Sequence, residues 1–208
     1  MRIATWNVNS IRSRIDRVEA FLDRHEIDVL AVQETKAKVD QLPTMGLEAR
    51  GYEVAAVGHS QWNGVALISR VGLDDVTVGF EGMPLYGDPE EAEARAISAV
   101  CGGGVRVVSL YVPNGRKPGD PHYRYKLDWL ARLRDASQAW LAEPTALVGD
   151  WNVCPYDEDC FDPSQFKNST HLTPPEREAF FAIERDFRDV VRPHQPGPGV
   201  YTYWDYYR

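Results

Sequence analysis

Apolar residues along this chain switch between two periods, and the switches mark its elements. A run at 2–7 is followed by Ile11, Ile15, Val18 and Leu22 at helical spacing, which predicts an amphipathic helix over 11–25. A second run at 28–34 completes a strand–helix–strand unit. Short β-rich pieces at 52–57, 64–69 and 75–80 read as antiparallel strands. Residues 81–94 are rich in Gly, Pro and acids and read as a surface loop. Runs at 96–101 and 105–112 flank Gly102-Gly103-Gly104, a hairpin whose turn needs the positive φ that glycine permits. A long loop at 113–121 precedes a helix carrying Leu130, Leu133, Trp140 and Leu141 on one face, and then a strand, 145–148, that runs into Asp150. Residues 154–172 look irregular. Thr173-Pro174-Pro175-Glu176 forms a capping box with proline in the first turn, and its helix is expected to bury Phe180, Ile183 and Phe187. The end is aromatic: Tyr201, Tyr203, Trp204, Tyr206 and Tyr207. No repeat, linker or second domain is visible. Hairpins mixed with strand–helix units predict a two-sheet, layered α/β fold in a single domain, 1–208.

Three of the predicted strands end alike. The run at 2–7 delivers Asn7, with Asn9 after it; the run at 28–34 ends in Gln33 and Glu34, followed by Lys36; the third delivers Asp150 and Asn152 after Gly149. Strand alternation would send Asp150 and Asn152 to the same face. An Asp or Asn after a strand is commonly a turn residue. Three matching endings, one of them a lone Glu closing an apolar run, favour chemistry instead, because Glu is seldom buried unless paired or bound to a metal. In α/β sheets the C-terminal strand ends are where ligands collect. A carboxylate beside an amide suits proton transfer next to a stabilised anion.

Composition narrows the setting. With 208 residues, 43% of them hydrophobic, the chain can bury a real core. No stretch is long enough to span a membrane and no signal peptide precedes the first strand. Cys101, Cys154 and Cys160 form no metal pattern, and their odd number argues against a disulfide framework, so a cytoplasmic setting is expected. The net charge of −8 weighs against tight non-specific DNA binding, which needs neutralised phosphates, but not against a nucleic-acid enzyme with local basic patches. Acids cluster at 88–93. The basic pairs Arg12 and Arg14, Arg116 and Lys117, and Arg124 and Lys126 read as solvated surface. The histidines, 25, 59, 122, 171 and 194, lack motif context and read as structural or surface residues. Taken alone, Tyr111 reads as a strand aromatic, Trp204 as core, and Lys36 as a partner of Glu34.

Five segments in order, Trp6-Asn7-Val8-Asn9, Gln33-Glu34-Thr35-Lys36, Tyr111-Val112-Pro113-Asn114-Gly115, Gly149-Asp150-Trp151-Asn152-Val153 and Tyr201-Thr202-Tyr203-Trp204, resemble the exonuclease III family of DNA-repair nucleases within the endonuclease/exonuclease/phosphatase superfamily. Trp62-Asn63-Gly64-Val65-Ala66 is similar to a further family strand. The resemblance implies a four-layer α/β sandwich of two mixed β-sheets flanked by helices. It implies Mg²⁺-dependent cleavage 5′ to abasic sites, with Mn²⁺ as a substitute metal, and 3′→5′ exonuclease action, by a monomer acting on double-stranded DNA. Carried over by position, Glu34 would ligate the metal in a region shared with Asn7, Asp150 and Asn152. Asp150 would align or deprotonate water or protonate the leaving oxygen. Asn152 and Tyr111 would donate to the phosphate, Asn114 and Arg116 would touch DNA, and Tyr203 and Trp204 would wall the pocket for the flipped sugar.

The family pattern continues past Arg208 with a Gly-x-Arg-x-Asp strand and a Ser-Asp-His motif. The expectation is therefore a fragment lacking the last strands of the fold, with a bared sheet edge, low stability and impaired activity. The alternatives are a phosphoesterase of the same superfamily acting on small or lipid phosphate esters, and a non-catalytic nucleic-acid-binding relative.

Overall fold

A computed structural model describes residues 1–195, 197 and 199–204. Tyr206 and Tyr207 of the aromatic end lie outside these. The chain divides into two compact units: Met1–Tyr111 with Ala139–Asp150, and Val112–Gln138 with the chain from Trp151 onward.

The first unit holds all eight strands, in two four-stranded mixed sheets. One has the order β1 (Ile3–Asn7), β2 (Val29–Gln33), β4 (Val65–Ser69), β3 (Glu53–Val57). The other has the order β5 (Asp74–Val78), β6 (Ala96–Cys101), β7 (Val105–Tyr111), β8 (Thr145–Asp150). In each sheet one pair is parallel, β1 with β2 and β7 with β8, and the remaining pairs are antiparallel. β1 and β8 are outermost strands.

Period two sorts the side chains of the first sheet between two cores. Ala4, Trp6, Leu30, Val32, Val54, Ala56, Ala66 and Ile68 face the helix α1 (Ile15–His25), packing with its Val18 and Leu22. Ile3, Val29, Ala31, Ala55, Val57, Val65 and Leu67 face the other way, against Ile97, Ala99, Cys101 and Val107 of the second sheet. The layers of this unit are thus helix, sheet and sheet. β2 and β4 are buried along their whole length because both of their faces are covered, so they read as continuous apolar runs rather than as alternation.

Some boundaries move. The first helix starts at Ile15, not residue 11. Asn9 and Ser10 both take left-handed φ, 44° and 92°, so the chain turns there and Ile11 enters the core from a turn. A four-residue helix α2 (Met45–Glu48) interrupts a stretch that shows no periodicity.

The second unit carries α3 (Pro121–Ser137) and α4 (Pro174–Glu184), which pack on each other. Trp140 and Leu141 do not lie on α3. The helix stops at Ser137 and a 3₁₀ turn over 138–142 follows, leaving Leu141 exposed. On α4 the capping box forms as expected and Ile183 is buried. Phe180 is only half-buried, edge-on to Trp151, and Phe187 lies beyond the helix end.

Candidate active site

In the first unit, two parallel strand pairs, one per sheet, deliver polar residues at their C-terminal ends. Asn7 ends β1 and pairs in register with Gln33, after which comes Glu34; Tyr111 ends β7 in register with Asp150, which ends β8. Asn7 joins the sheets. Its Nδ2 donates to Glu34 Oε1 at 2.7 Å and to Asp150 Oδ2 at 2.8 Å. Two carboxylates from different sheets thus stand within two hydrogen-bond lengths of each other. Asn7 Oδ1 accepts from the Asn9 main-chain N–H at 3.0 Å.

Glu34 sits at φ 54°, a conformation that costs a non-glycine residue free energy and persists only where the surroundings impose it. Here backbone bonds impose it. Glu34 O accepts from Ser10 N, Thr35 N donates to Gly64 O, and Lys36 N donates to Asn63 O. Lys36 Nζ then pairs with Glu34 Oε2 at 2.8 Å and also donates to Asn9 Oδ1, as the pairing of Lys36 with Glu34 leads one to expect. Gly149 aims Asp150: a Cβ at this position would lie 2.0 Å from the Leu110 carbonyl oxygen, so only glycine lets β8 approach β7 this closely one residue before the acid.

Burial drives the Tyr111 phenol well above its ordinary range. The charges of Glu34 and Asp150 push the same way, and Arg95 opposes them. The group is a neutral hydroxyl donor at any working pH. No motif or pattern in the sequence singles out Arg95. It is almost fully buried, lies over the Tyr111 ring at 4.8 Å, and donates to the Tyr111 carbonyl at 3.3 Å and to Glu93 Oε2 at 2.7 Å. Glu93 in turn accepts from Asn63 Nδ2 at 2.9 Å. The end of the acidic stretch 88–93 is therefore an inward anchor for Arg95 rather than solvated loop.

The second unit gathers Asn114, Asn152, Lys126, Thr170, His171 and Glu176. Strand alternation does not set the direction of Asn152: β8 stops at Asp150 and Asn152 adopts φ 49°. Its Nδ2 donates to Val112 O at 2.8 Å, and its Oδ1 accepts from Asn114 Nδ2 at 3.4 Å. Asn114 Oδ1 accepts from Arg116 N at 3.0 Å, a local turn that leaves the Arg116 side chain largely exposed.

One expectation fails here. Lys126 is not solvated surface: it lies on α3, is 0% exposed, and is ion-paired to Glu176, also 0% exposed. His171 is a buried structural residue, as its lack of motif context suggests, and belongs to the same network. Its Nδ1 lies 2.6 Å from Asn152 O, and burial, with the Lys126 charge, pulls its pKa down to about 4. Burial would raise the Glu176 carboxyl, but Lys126, Thr170 and the His171 amide hold it below the usual carboxylate range.

Tyr203 packs edge-on to Phe166 and tilted against His171, with centroids at 5.3 and 5.4 Å. Trp204 is not core. It is 74% exposed, its indole N–H bonded to Tyr201 O at 3.0 Å. Among the described residues no group of three or more His, Cys, Asp or Glu side chains is placed to hold a metal ion. No helix of the described chain is long and apolar enough to cross a membrane.

The family model for the Endonuclease/Exonuclease/phosphatase family matches residues 4–208. An exodeoxyribonuclease of Bacillus subtilis is 28% identical over 220 residues, covering 99% of this chain and 81% of that protein. Among solved structures, an AP endonuclease from Archaeoglobus fulgidus is 36% identical with a TM-score of 0.89, and a 3′-5′ exonuclease from Neisseria meningitidis is 32% identical with a TM-score of 0.90. Each of these matches covers 99% of this chain and 79% of the other. These likenesses bear out the two mixed sheets with flanking helices. The chain belongs to the Endonuclease/Exonuclease/phosphatase family, within its exonuclease III branch of phosphodiester hydrolases.

Proposed function

We propose that this chain is a Mg²⁺-dependent DNA-repair nuclease that cleaves duplex DNA at abasic sites and removes nucleotides from 3′ ends. The named activities of its relatives, exodeoxyribonuclease, AP endonuclease and 3′-5′ exonuclease, support the substrate class. The observation that carries the reading is the single amide of Asn7 bridging Glu34 and Asp150.

The donor set suits the metal. Glu34 and Asp150 offer hard carboxylate oxygens, and Mg²⁺ takes oxygen ligands while keeping several waters, so one or two carboxylates suffice. Asn7, Glu34 and Asp150 would hold it. When bound, the ion supplies Lewis-acid neutralisation of phosphate charge. The side chains supply the rest. Lys36 holds Glu34 aimed through their ion pair. Tyr111, kept protonated by burial and its acidic neighbours, donates to a non-bridging phosphate oxygen. Asp150, oriented by Asn7, aligns the attacking water or exchanges a proton with it or with the leaving oxygen. Asn152 and Asn114 donate to the phosphate and its neighbour. A fixed donor of this kind contributes about 3–4 kcal/mol in comparable oxyanion sites. The exposed Arg116 meets the DNA backbone. Tyr203 and Trp204 border the abasic sugar, which flips cheaply because no base is unstacked or unpaired with it.

The test is nicking of a duplex containing one abasic site. Mg²⁺-dependent, EDTA-sensitive cleavage that is lost in Glu34→Gln and Asp150→Asn supports the reading. Cleavage indifferent to both substitutions, or preference for soluble phosphate esters over abasic duplex, overturns it.

A further inference from the structure

The second unit contains a charged pair that the roles above do not use. Lys126 and Glu176 are both completely buried. Such a pair is a poor device for stability alone: desolvation cancels much of the attraction, and apolar residues of similar size often serve as well. What the ammonium touches indicates another role. Nζ has donors only, and it lies within reach of Asn152 O at 2.6 Å, Asn114 O at 3.2 Å, Thr170 Oγ1 at 3.1 Å and Glu176 Oε1. Two of these four acceptors are the main-chain carbonyls of the two asparagines assigned to the DNA phosphates.

The neighbours reinforce the clamp. The Thr170 hydroxyl also reaches Asn114 O at 2.8 Å. Gly115 closes over the lysine stem so tightly that a Cβ there would lie 2.9 Å from Lys126 Cδ and 2.7 Å from Thr170 Oγ1. Because the Asn152 carbonyl can only accept, His171 Nδ1 carries the proton and Nε2 is left as acceptor, 3.5 Å from Asn114 Nδ2. That sets the Asn114 amide, with nitrogen towards His171 and Asn152 Oδ1 and oxygen towards Arg116 N.

The geometry points to Lys126 as a positioning residue: one buried ammonium holds the backbones of Asn114 and Asn152 together and presents their amides as a prearranged pair for a DNA phosphate. Lys126 itself does not touch the substrate. The identity of the ligand rests on the nuclease reading; the positioning itself does not.

The test compares the full parent chain with Lys126→Met, Lys126→Met/Glu176→Gln and Thr170→Val. Lys126→Met alone strands a buried carboxylate and is expected to be poorly folded. The double variant removes both charges together. It is expected to fold near parent stability, to shift the side-chain amide NMR signals of Asn114 and Asn152, and to lose on the order of 10²-fold in kcat on an abasic duplex with little change in KM. Thr170→Val, which leaves the ion pair in place, is expected to move the Asn114 signal and spare that of Asn152. A merely structural pair predicts that the double variant recovers parent kcat and parent amide signals, and that result overturns the proposal, as does an unmoved Asn114 signal in Thr170→Val. If the parent chain fails to cleave with Mg²⁺, the nuclease reading falls, while the amide spectra still decide the positioning claim.

Discussion

The carboxylate cluster of the first unit and the asparagine cluster of the second are built on opposite plans. Asn7, Tyr111 and Asp150 end parallel strands and Glu34 follows the end of another, so register places them within each sheet and one amide joins the acids across the two. Asn114 and Asn152 stand on loops with no register to place them, and a buried ion pair takes over that task. The strand-end residues are held by their sheet and by short backbone bonds beside it, whereas the loop residues rest on a buried anchor drawn from distant sequence.

The largest effect that separates the plans is chemical. Asp150→Asn is expected to lower kcat about 10³-fold with stability unchanged or slightly raised, because the charge it removes faces that of Glu34; single-turnover cleavage and thermal melting check both parts. Gly149→Ala attacks the strand-end plan itself. With φ at 143° and the Leu110 carbonyl in the way, it is expected to cost about 3 kcal/mol of stability, measured by denaturant titration, and to displace Asp150.

The loop plan has a pH signature of similar size. The imidazole of residue 171 takes up a proton near pH 6.5 when the chain is unfolded, but only at about 4 in the fold, where it faces Lys126 and Glu176. Between those values the unfolded state holds more protons. Stability is therefore full above pH 6.5 and falls by about 3 kcal/mol as the pH drops to about 4. Melting temperatures across this window should show the slope, and His171→Gln should flatten it. Glu176, held low, stays charged through most of the window, and its own contribution is lost only at more acidic pH. The smallest effect belongs to Arg95→Met, which removes the cation over the Tyr111 ring and is expected to cost about 1 kcal/mol, or about fivefold in kcat/KM.

The same contrast explains what was legible in the sequence. Apolar runs that end in Asn7, Glu34 and Asp150 advertise themselves, because a strand's period and its polar terminus are local properties. The orientation of Asn152 is not legible in the sequence, since its left-handed backbone breaks strand alternation. An acidic, loop-like neighbourhood hides Arg95 and Glu93; they pair just before β6, where Arg95 is buried over the Tyr111 ring. Lys126 left a signal that charge obscured: it precedes Leu130 and Leu133 by four and seven residues, on the buried stripe of α3. The sequence marks Glu176 as a helix cap, and it does cap, but its bond to Lys126 is tertiary and has no sequence trace.

The central claim is that Asn7 makes one oxygen-donor site of two acids on separate sheets. Mn²⁺ titration followed by electron paramagnetic resonance tests it without requiring turnover. The account predicts that the parent chain binds the ion and that Glu34→Gln and Asp150→Asn each weaken binding strongly, with Asn7→Ala weakening it as well. Parent-like affinity in both carboxylate variants would contradict it.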